Sequence, residues 1–318
     1  GSTLTAGGNV NINATGAGKD SNVLIQGSQL TAGGNAALSA DGQVNLVAAK
    51  NESSQSGSKS SSSSSVGASY SVMTQSVSVN ASASKGQGKS NGQDLSYTNT
   101  VIAAGNTASI TSGGDTNIKG AVVAANQIKL DVGKQSGGSL TIESLQDLST
   151  YTSSQKSSGI SISVPITGSG SAGGSISASK SSINSNFQSV GEQSGLKAGD
   201  GGFQVSVANN TSLTGGVIAS TQSAVDSRVN TFTTGGQLTT SDVQNTASFT
   251  GKAVGGTIGV GSQLGSSGAG AGNMQGSAVS TSSAGISGVA GNTAVRTGDA
   301  EAGLKPIFDA DKVQKDIN

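Results

Sequence analysis

The chain has 318 residues, with 17 basic and 17 acidic side chains, 50 glycines, 3% aromatic residues and neither cysteine nor histidine. The absence of these two residue types excludes an ordinary structural zinc site, a thiol nucleophile, a disulfide and a histidine-based catalytic triad. The balanced charge lacks the basic character expected of a nucleic-acid-binding protein, and no run approaches the roughly 18 apolar residues of a membrane-spanning helix.

The sequence repeats itself at two periods. GSTLTAGGN at residues 1–9 returns as GSQLTAGGN at residues 27–35, a spacing of about 26 residues that is typical of solenoid proteins. A longer period of about 95 residues relates DTNIKGAVVAA at 115–125 to NTSLTGGVIAS at 210–220. We therefore expect one repetitive domain over residues 1–292, composed of three units of about 95 residues.

Half of each unit carries a strand pattern. Near residues 1–50, 99–148 and 196–244, apolar residues alternate with polar ones and are punctuated by Gly, Asn and Asp, as Val44 and Leu46 illustrate. Short strands with almost no aromatic residues cannot each build a separate core, but they can share one by stacking coil upon coil. The sequence therefore predicts an all-β fold, a right-handed parallel β-helix.

An Asn residue recurs after Ala or Gly where a coil is expected to turn. Asn tolerates the left-handed backbone angles of such corners. Equivalent Asn amides in successive coils would lie about 4.8 Å apart, close enough for a hydrogen-bonded ladder. We expect a structural role at the corners for Asn9, Asn35, Asn106 and Asn126.

The other half of each unit is rich in Ser and Gly, over residues 51–98, 149–195 and 245–292. Each block keeps an apolar alternation at the same place in its unit, which a random linker would not do. We predict β-hairpins extruded from the solenoid, with their apolar face on its flank or on each other and with mobile tips such as Lys85–Asn91 and Gly168–Gly174. These hairpins are candidates for contact with a membrane or a partner, through Val66, Tyr70, Val72, Val77, Val79, Ile160, Ile162, Val164, Ile166, Val254, Ile258 and Val260.

Residues 293–318 break the repeat pattern and predict a linker and a short helix that lead to a further C-terminal domain. Pro306 suits the first turn of that helix, and Phe308 begins an apolar face that Val313 continues. The chain starts at Gly1 without Met or a signal peptide, so we expect it to be a segment of a longer protein.

The residues give little support to an enzyme. No aromatic cluster that would line a sugar-binding groove lies near the acidic pairs Glu143–Asp147 and Asp299–Glu301, so we interpret them as solvated surface carboxylates. The Gly-rich stretch 168–174 is not followed by the Lys-Ser or Lys-Thr of a phosphate-binding loop. The sequence thus predicts a domain without enzymatic activity, cofactor, metal or nucleic-acid partner.

Three features together resemble a known family. They are the LTAGGN-type coils, the segment YTNTVIAAGNTASITSGGDTNIKGAVVAANQIKL at residues 97–130, and the closing IFDADKVQKDI at residues 307–317, with Ser-rich blocks interposed. This combination resembles the haemagglutinin-repeat region of filamentous-haemagglutinin-like exoproteins, and more narrowly the second repeat domain of CdiA-type effectors of contact-dependent growth inhibition. The resemblance covers essentially the whole chain, and the long unit with its tail is the most specific part.

The resemblance implies a secreted protein of the bacterial cell surface, exported through an outer-membrane β-barrel transporter of the secreting cell by way of an N-terminal domain missing from this sequence. It also implies that the region helps a C-terminal toxin to cross the outer membrane of a target cell, in contact with that membrane or its proteins. Two alternatives stay open: an adhesin or biofilm filament domain of a two-partner-secreted haemagglutinin, and a passive spacer. Self-association through exposed hairpin edges is a further expectation.

Overall fold

The structure, a computed structural model, describes residues 1–73, 75–134, 137–168, 171–261 and 267–317. The first strands along the chain are β1 (Thr3–Ala6), β2 (Val10–Ala14), β3 (Val23–Gln26), β4 (Gln29–Ala32), β5 (Ala36–Ala40), β6 (Val44–Val47), β7 (Ala49–Ser71), β8 (Ser76–Thr98), β9 (Thr100–Ser112), β10 (Thr116–Lys119), β11 (Ala121–Val132) and β12 (Leu140–Glu143). The remaining strands are β13 (Gln146–Thr167), β14 (Gly173–Val190), β15 (Gly195–Val207), β16 (Thr211–Thr214), β17 (Val217–Ala219), β18 (Thr231–Thr234), β19 (Leu238–Ser241), β20 (Val243–Gly261), β21 (Ser267–Ser282), β22 (Gly285–Ile286) and β23 (Ala290–Gly291). The α-helices are α1 (Gln222–Asp226) and α2 (Ala310–Ile317), and one 3-10 turn covers Gly18–Asp20.

Parallel strands form a β-helix whose coils stack in register. An eleven-stranded sheet contains β1, β4, β9, β11, β15 and β17 as successive neighbours, and a second sheet runs through β3, β6, β10, β12, β16 and β19. All neighbouring pairs in these two runs are parallel. Strands β9, β11 and β15 are long because each passes a corner and continues along the side of the coil where β2, β5 and β18 lie. The predicted all-β parallel β-helix with a short C-terminal helix is confirmed.

The core consists of apolar ladders, in which the same position of successive coils holds a buried aliphatic side chain. One ladder runs through the second sheet, and its buried members are Leu46, Ile118, Ile142 and Leu213. Another runs through the first sheet, with Leu30, Ile102, Val123, Leu196 and Ile218. Each side chain packs on the coils before and after it, so a chain with few aromatic residues still builds a continuous core.

Three long hairpins leave the β-helix, one after every second coil, and join into a single antiparallel sheet. The hairpins β7–β8, β13–β14 and β20–β21 follow β6, β12 and β19 along the chain. They pair with one another in the order β21-β20-β14-β13-β8-β7, so that β7 and β21 are the edge strands. We call this six-stranded unit the hairpin sheet.

One expectation about the hairpin tips is wrong. Lys85–Asn91 lies inside β8 and pairs with both β7 and β13, whereas the first hairpin turns after Ser71, where β7 ends. The Ser and Gly residues of this segment carry no apolar alternation to mark a strand, but neighbours on both sides satisfy their backbone groups and hold them extended. The second expected tip, Gly168–Gly174, falls partly outside the described residues, and Gly173 begins β14.

The C-terminal segment lies across one face of the hairpin sheet. Helix α2 follows Asp309, whose carboxylate accepts a hydrogen bond from the Lys312 N–H at 3.0 Å and so caps the helix. The expectation that Pro306 stands in the first turn is wrong. The helix begins at Ala310, directly after its cap Asp309, so Pro306 lies in the segment that precedes the helix. Val313 and Ile317 are buried in a cluster with residues of β14 and β20.

Candidate functional site

The two faces of the hairpin sheet differ in chemistry over its distal half, the half away from the β-helix. Successive side chains of a strand point to opposite faces, and directly opposed residues of neighbouring strands share a face. One face carries serines whose hydroxyls pair across the strands, such as Ser161 Oγ and Ser175 Oγ at 2.7 Å. We call the other face the apolar face, and it consists of Val66, Ala68, Tyr70, Val77, Val79, Ala81, Ala83, Ile160, Ile162, Val164, Ile176, Ala178, Val254 and Ile258.

The strand register gathers the apolar residues of all three hairpins into rows. In one row, Ile160 lies opposite Ala83 on one side and Ile176 on the other, and Ile176 lies opposite Ile258. In the next row towards the tip, Val66, Ala81 and Ile162 are neighbours, and in the row after it Ala68, Val79 and Val164 are neighbours. Residues from separate blocks of the sequence thus form one continuous surface.

The apolar face is exposed to solvent. Val66 is 81% exposed, Ile162 50% and Ile258 62%. The expectation that this face lies on the flank of the solenoid or on another hairpin is therefore wrong. The hairpins meet through their edges instead, because antiparallel backbone pairing joins β8 to β13 and β14 to β20 and leaves the apolar face free.

Of the other predicted hairpin residues, Val72 and Ile166 lie at the margin of this face. Val72 follows the end of β7 and is exposed, and Ile166 is exposed at a register shift near the end of β13. Val77 and Val79 are partly buried within β8. The side chain of Val260 lies outside the described residues.

The size of the apolar face indicates a contact surface. It extends over five strands, about 19 Å, and its four rows from Ile160 to Val77 cover about 20 Å at the usual spacings of a sheet. Exposed apolar patches larger than a few hundred Å² are rare on monomeric soluble proteins and mark sites of contact with proteins or lipids. Because the backbone groups of the inner strands are paired, such a face can lose water at little cost.

The C-terminal segment covers the opposite face and leaves the apolar face free. The ring of Phe308 packs against Tyr151 with centroids 5.4 Å apart and against Phe249 at 5.9 Å. A Cβ on Gly251 would lie 2.6 Å from Val313, so a glycine is required beneath the helix. The C-terminal segment thus adds a second apolar cluster to the sheet without reaching the apolar face.

Asp147 lies near the base of the hairpin sheet and is the carboxylate most affected by its surroundings there. Burial raises the pKa of Asp147 above its ordinary value, and the hydrogen bond that its Oδ1 accepts from the Tyr97 N–H at 2.8 Å opposes part of that change. This bond ties β13 to the neighbouring strand β8, so we interpret Asp147 as a structural residue.

The predicted Asn corners differ in how they bond. Asn9 Oδ1 accepts a hydrogen bond from the Asn35 N–H at 2.8 Å, and Asn35 Oδ1 accepts one from the Thr107 N–H at 3.1 Å. The two amides therefore bridge three successive coils by side-chain to backbone bonds rather than by amide to amide bonds. Asn106 lies within β9, and its backbone N–H donates to Gly34.

Asn126 stands at a different kind of corner. It lies in β11 at a register shift, opposite the loop-like insertion Gly199–Gly201 of β15. Its Oδ1 accepts a hydrogen bond from the Gly201 N–H at 3.4 Å, and a Cβ on Gly199 would lie 3.0 Å from this oxygen. The glycines of this corner thus allow the next coil to approach Asn126.

Several other residues that bridge neighbouring coils were not predicted from the sequence. Asn117 Nδ2 donates to Asn45 Oδ1 at 2.8 Å, which is an amide ladder on a side of the coil rather than at a corner. Backbone N–H groups also donate to the side chains of Asn22, Asn210 and Asp115. The sequence does place Asn45 and Asn117 at the same position of two similar short strands. Predicting that their amides meet requires the register between the two coils, which the sequence pattern did not supply.

The acidic pairs make separate local bonds. Glu143 forms an ion pair with Lys119 at 3.3 Å, and Glu301 forms one with Lys197 at 2.8 Å. The Asp299 carboxylate accepts a hydrogen bond from the Arg296 N–H. In the described part of the chain, no group of three or more Asp or Glu residues is arranged to hold a metal ion. A search of the same residues for a helix that could span a membrane found none.

Comparisons with known proteins relate both the coils and the hairpins to one family. Residues 1–157 match the family model described as Hemagglutinin repeat. A deoxyribonuclease CdiA of Yersinia pseudotuberculosis serotype O:3 (strain YPIII) is 38% identical over 341 residues, covering 99% of this chain and 30% of the relative. A toxin CdiA of Escherichia coli is 38% identical over 346 residues, covering 99% of this chain and 11% of the relative. A tRNA nuclease CdiA of Escherichia coli (strain NC101) is 37% identical over 254 residues, with 78% and 7% covered.

The chain is a haemagglutinin-repeat region of the CdiA type. It spans less than a third of the length of the curated relatives named above. The family model ends at residue 157, within β13, whereas the first two relatives match almost the whole chain. The segments that form the hairpin sheet therefore lie within the sequence that the first two relatives match. No solved structure matches the chain.

Proposed function

We propose that this haemagglutinin-repeat region is a non-enzymatic part of a secreted contact-dependent inhibition effector and assists delivery of a toxin across the outer membrane of a target cell. The observation that carries the proposal is the exposed apolar face of the hairpin sheet. In this proposal the β-helix is the filament that holds the hairpin sheet, and the apolar face is the part that contacts the target membrane or its proteins.

The names of the relatives support a role separate from the toxin's chemistry. One similar protein is named a deoxyribonuclease and another a tRNA nuclease, yet both contain a segment similar to this chain. A segment shared by proteins with different nuclease activities suits a common step, such as delivery, better than it suits either cleavage reaction. This reasoning supports the absence of enzymatic activity in the region itself.

We also propose where the effector is located and what it contacts. The effector is secreted to the bacterial cell surface through an outer-membrane transporter of the secreting cell, which acts on another part of the effector. At the target, the region contacts the outer membrane. The strands β7 and β21 offer a second mode of contact, because each lies at an edge of the hairpin sheet, where copies of the region can associate.

The test is a growth-inhibition assay with the complete effector that carries this region. Ile160, Ile162 and Val66 are replaced together by Ser. Serine is common at neighbouring positions of these strands, so the strands should still form, while three exposed apolar side chains at the centre of the face are lost. We expect inhibition of co-cultured target cells to fall by at least tenfold while secretion and surface display, measured by antibody labelling, stay unchanged.

The matched control replaces Leu4 and Leu24 by Ser, since both are exposed apolar residues of the β-helix. This control is expected to inhibit target cells like the unmodified effector. Unchanged inhibition by the hairpin variant would contradict the proposal and favour a passive spacer. A loss of attachment between the two cell types, rather than of toxin entry after attachment, would favour an adhesin.

A further inference from the structure

The apolar face continues towards the β-helix into a group of lysines from all three hairpins. The register places them in three consecutive rows, directly next to the row of Ile160. All of them are exposed. We call this group the lysine belt, and its members are Lys85, Lys89, Lys156, Lys180 and Lys252.

Acidic residues do not balance the lysine belt. Among the described residues, Glu52 is the only carboxylate on this face of the sheet, and it pairs with Lys50 at the base of the first hairpin. The belt lysines form no ion pair within the described part of the chain. Lys156 and Lys180 lie directly opposite each other on β13 and β14, an arrangement that costs stability unless an anion lies between them.

The lysine belt adjoins the apolar rows on one face, so both can contact the same membrane surface. Neighbouring rows of one face are about 6.8 Å apart along a strand, so the belt begins about 7 Å from the first apolar row and extends over about 14 Å. Surface-bound segments bury apolar side chains about 5–10 Å into the boundary between headgroups and acyl chains. When the face lies on the membrane, the lysines stand beside the apolar rows, and their flexible stems let the ammonium groups reach the lipid phosphates while the apolar side chains enter more deeply.

We infer that the apolar face and the lysine belt together form a binding surface for a membrane that carries anionic, phosphate-bearing lipids. This inference rests on the proposed function and specifies its partner as the lipid itself. The apolar rows enter the headgroup boundary, and the lysines bind the lipid phosphates. The face lies on the membrane and does not require the strands to cross it.

The combination of features favours lipid over other anionic partners. The phosphates of a nucleic acid would bind the lysines, but its polar backbone would leave the adjacent isoleucines and valines without an apolar partner. An apolar protein partner would use the isoleucines but would need acidic residues placed opposite the lysines. A membrane with anionic headgroups offers both chemistries to one face of the sheet.

The experiment measures binding of the chain to lipid vesicles by flotation. One set of vesicles is phosphatidylcholine alone, and the other contains about three parts phosphatidylcholine to one part phosphatidylglycerol. We expect binding to the anionic vesicles, weaker binding to the neutral ones and a loss of the difference as salt is raised. Replacing Lys156 and Lys180 by Gln should weaken binding to anionic vesicles by about 25-fold, at about fivefold for each lysine.

Two control variants separate charge on this face from charge in general. Lys59→Gln with Lys305→Gln removes the same charge from exposed positions away from the lysine belt and should bind like the unmodified chain. Lys156→Arg with Lys180→Arg retains the charge and should also bind normally. Circular dichroism of each variant checks that the strands remain folded.

The outcomes separate this inference from the proposed function. If the Lys→Gln pair binds anionic vesicles like the unmodified chain, the lysine belt does not recognise lipid, and the inference is overturned. If the chain binds neither type of vesicle, or binds a short DNA duplex more tightly than the anionic vesicles, it is overturned as well. The growth-inhibition assay is independent of vesicles, so loss of inhibition on removal of the apolar face, without vesicle binding, would retain the proposed function with a protein as the partner.

Discussion

Lys156 on β13 lies directly opposite Lys180 on β14, so two like charges are neighbours on the same face of the second hairpin. Opposed like charges on adjacent strands destabilise their pairing, and opposite charges stabilise it, by about 0.2–1 kcal/mol. The native sequence therefore holds the hairpin at less than its attainable stability at this position.

The substitution Lys180→Glu should strengthen the pairing of β13 with β14. The new carboxylate would face the Lys156 ammonium, and we expect the free energy of local opening to rise by about 0.5 kcal/mol. Amide hydrogen exchange of the two strands measures the change, with Lys180→Gln as an intermediate. Faster exchange in the Glu variant than in the unmodified chain would contradict the interpretation of this pair.

Gly272 and Gly270 provide a matched pair for testing how the C-terminal helix is seated. A Cβ on Gly272 would lie 2.4 Å from the backbone oxygen of Ile317, whereas a Cβ on Gly270 would meet no atom within 4 Å. Gly272→Ala should therefore displace α2 and expose its apolar side chains. Limited proteolysis should cut the C-terminal segment several-fold faster in this variant, and the Gly270→Ala control should be cut at the native rate. Equal rates would show that the helix tolerates the added methyl group.

Asn35 joins two coil corners, and its loss should loosen the coil that follows. Asn35→Ala leaves the Thr107 N–H without the Asn35 Oδ1 acceptor, a change that costs about 0.5–1.5 kcal/mol. The amide of Thr107 should then exchange with solvent faster. Asn35→Asp keeps an acceptor oxygen and should preserve most of the protection, while Asn106→Ala serves as a control at the corner itself. Protection that is unchanged in Asn35→Ala would rule out this bond as a source of stability.

Asp147 gives the hairpin sheet a predictable dependence on pH. Because burial raises the pKa of its carboxyl above the ordinary 3.8, the folded state holds the proton more tightly than the unfolded state. The stabilisation from this group is full below about pH 4 and is lost as the pH rises through the folded-state pKa. Asp147→Asn keeps an oxygen to accept from the Tyr97 N–H and should remove this dependence, leaving stability at neutral pH equal or higher. Thermal unfolding from pH 3 to 7 tests this, with Asp147→Ala as the variant that loses the acceptor; a pH profile that is the same for Asn and Asp would contradict it.

The β-helix could be predicted from the amino-acid sequence. Alternating residues such as Leu46 and Ile118 show a strand pattern, and their recurrence at a fixed period shows that the strands stack, because a repeated short strand has only its own copies to pack against. The corner residues Asn9 and Asn35 were visible for the same reason, since both belong to the repeated string. The direction of their hydrogen bonds, from the backbone of the following coil to the side chain, required the coordinates.

The surroundings of the hairpins could be read from the tertiary structure alone. Alternation in Ile160 and Ile162 shows that a strand has an apolar side, but it does not state what covers that side. The answer depends on which strands become neighbours, and Ile160 meets Ala83 and Ile176 because hairpins from distant parts of the chain pair with each other. The lysine belt is a product of the same register, since its members are scattered over about 170 residues and become neighbours only when the strands align. Local periodicity fixes the faces of a strand, whereas its partners are fixed by contacts far apart in the sequence, and the surface proposed to bind a membrane exists only through those contacts.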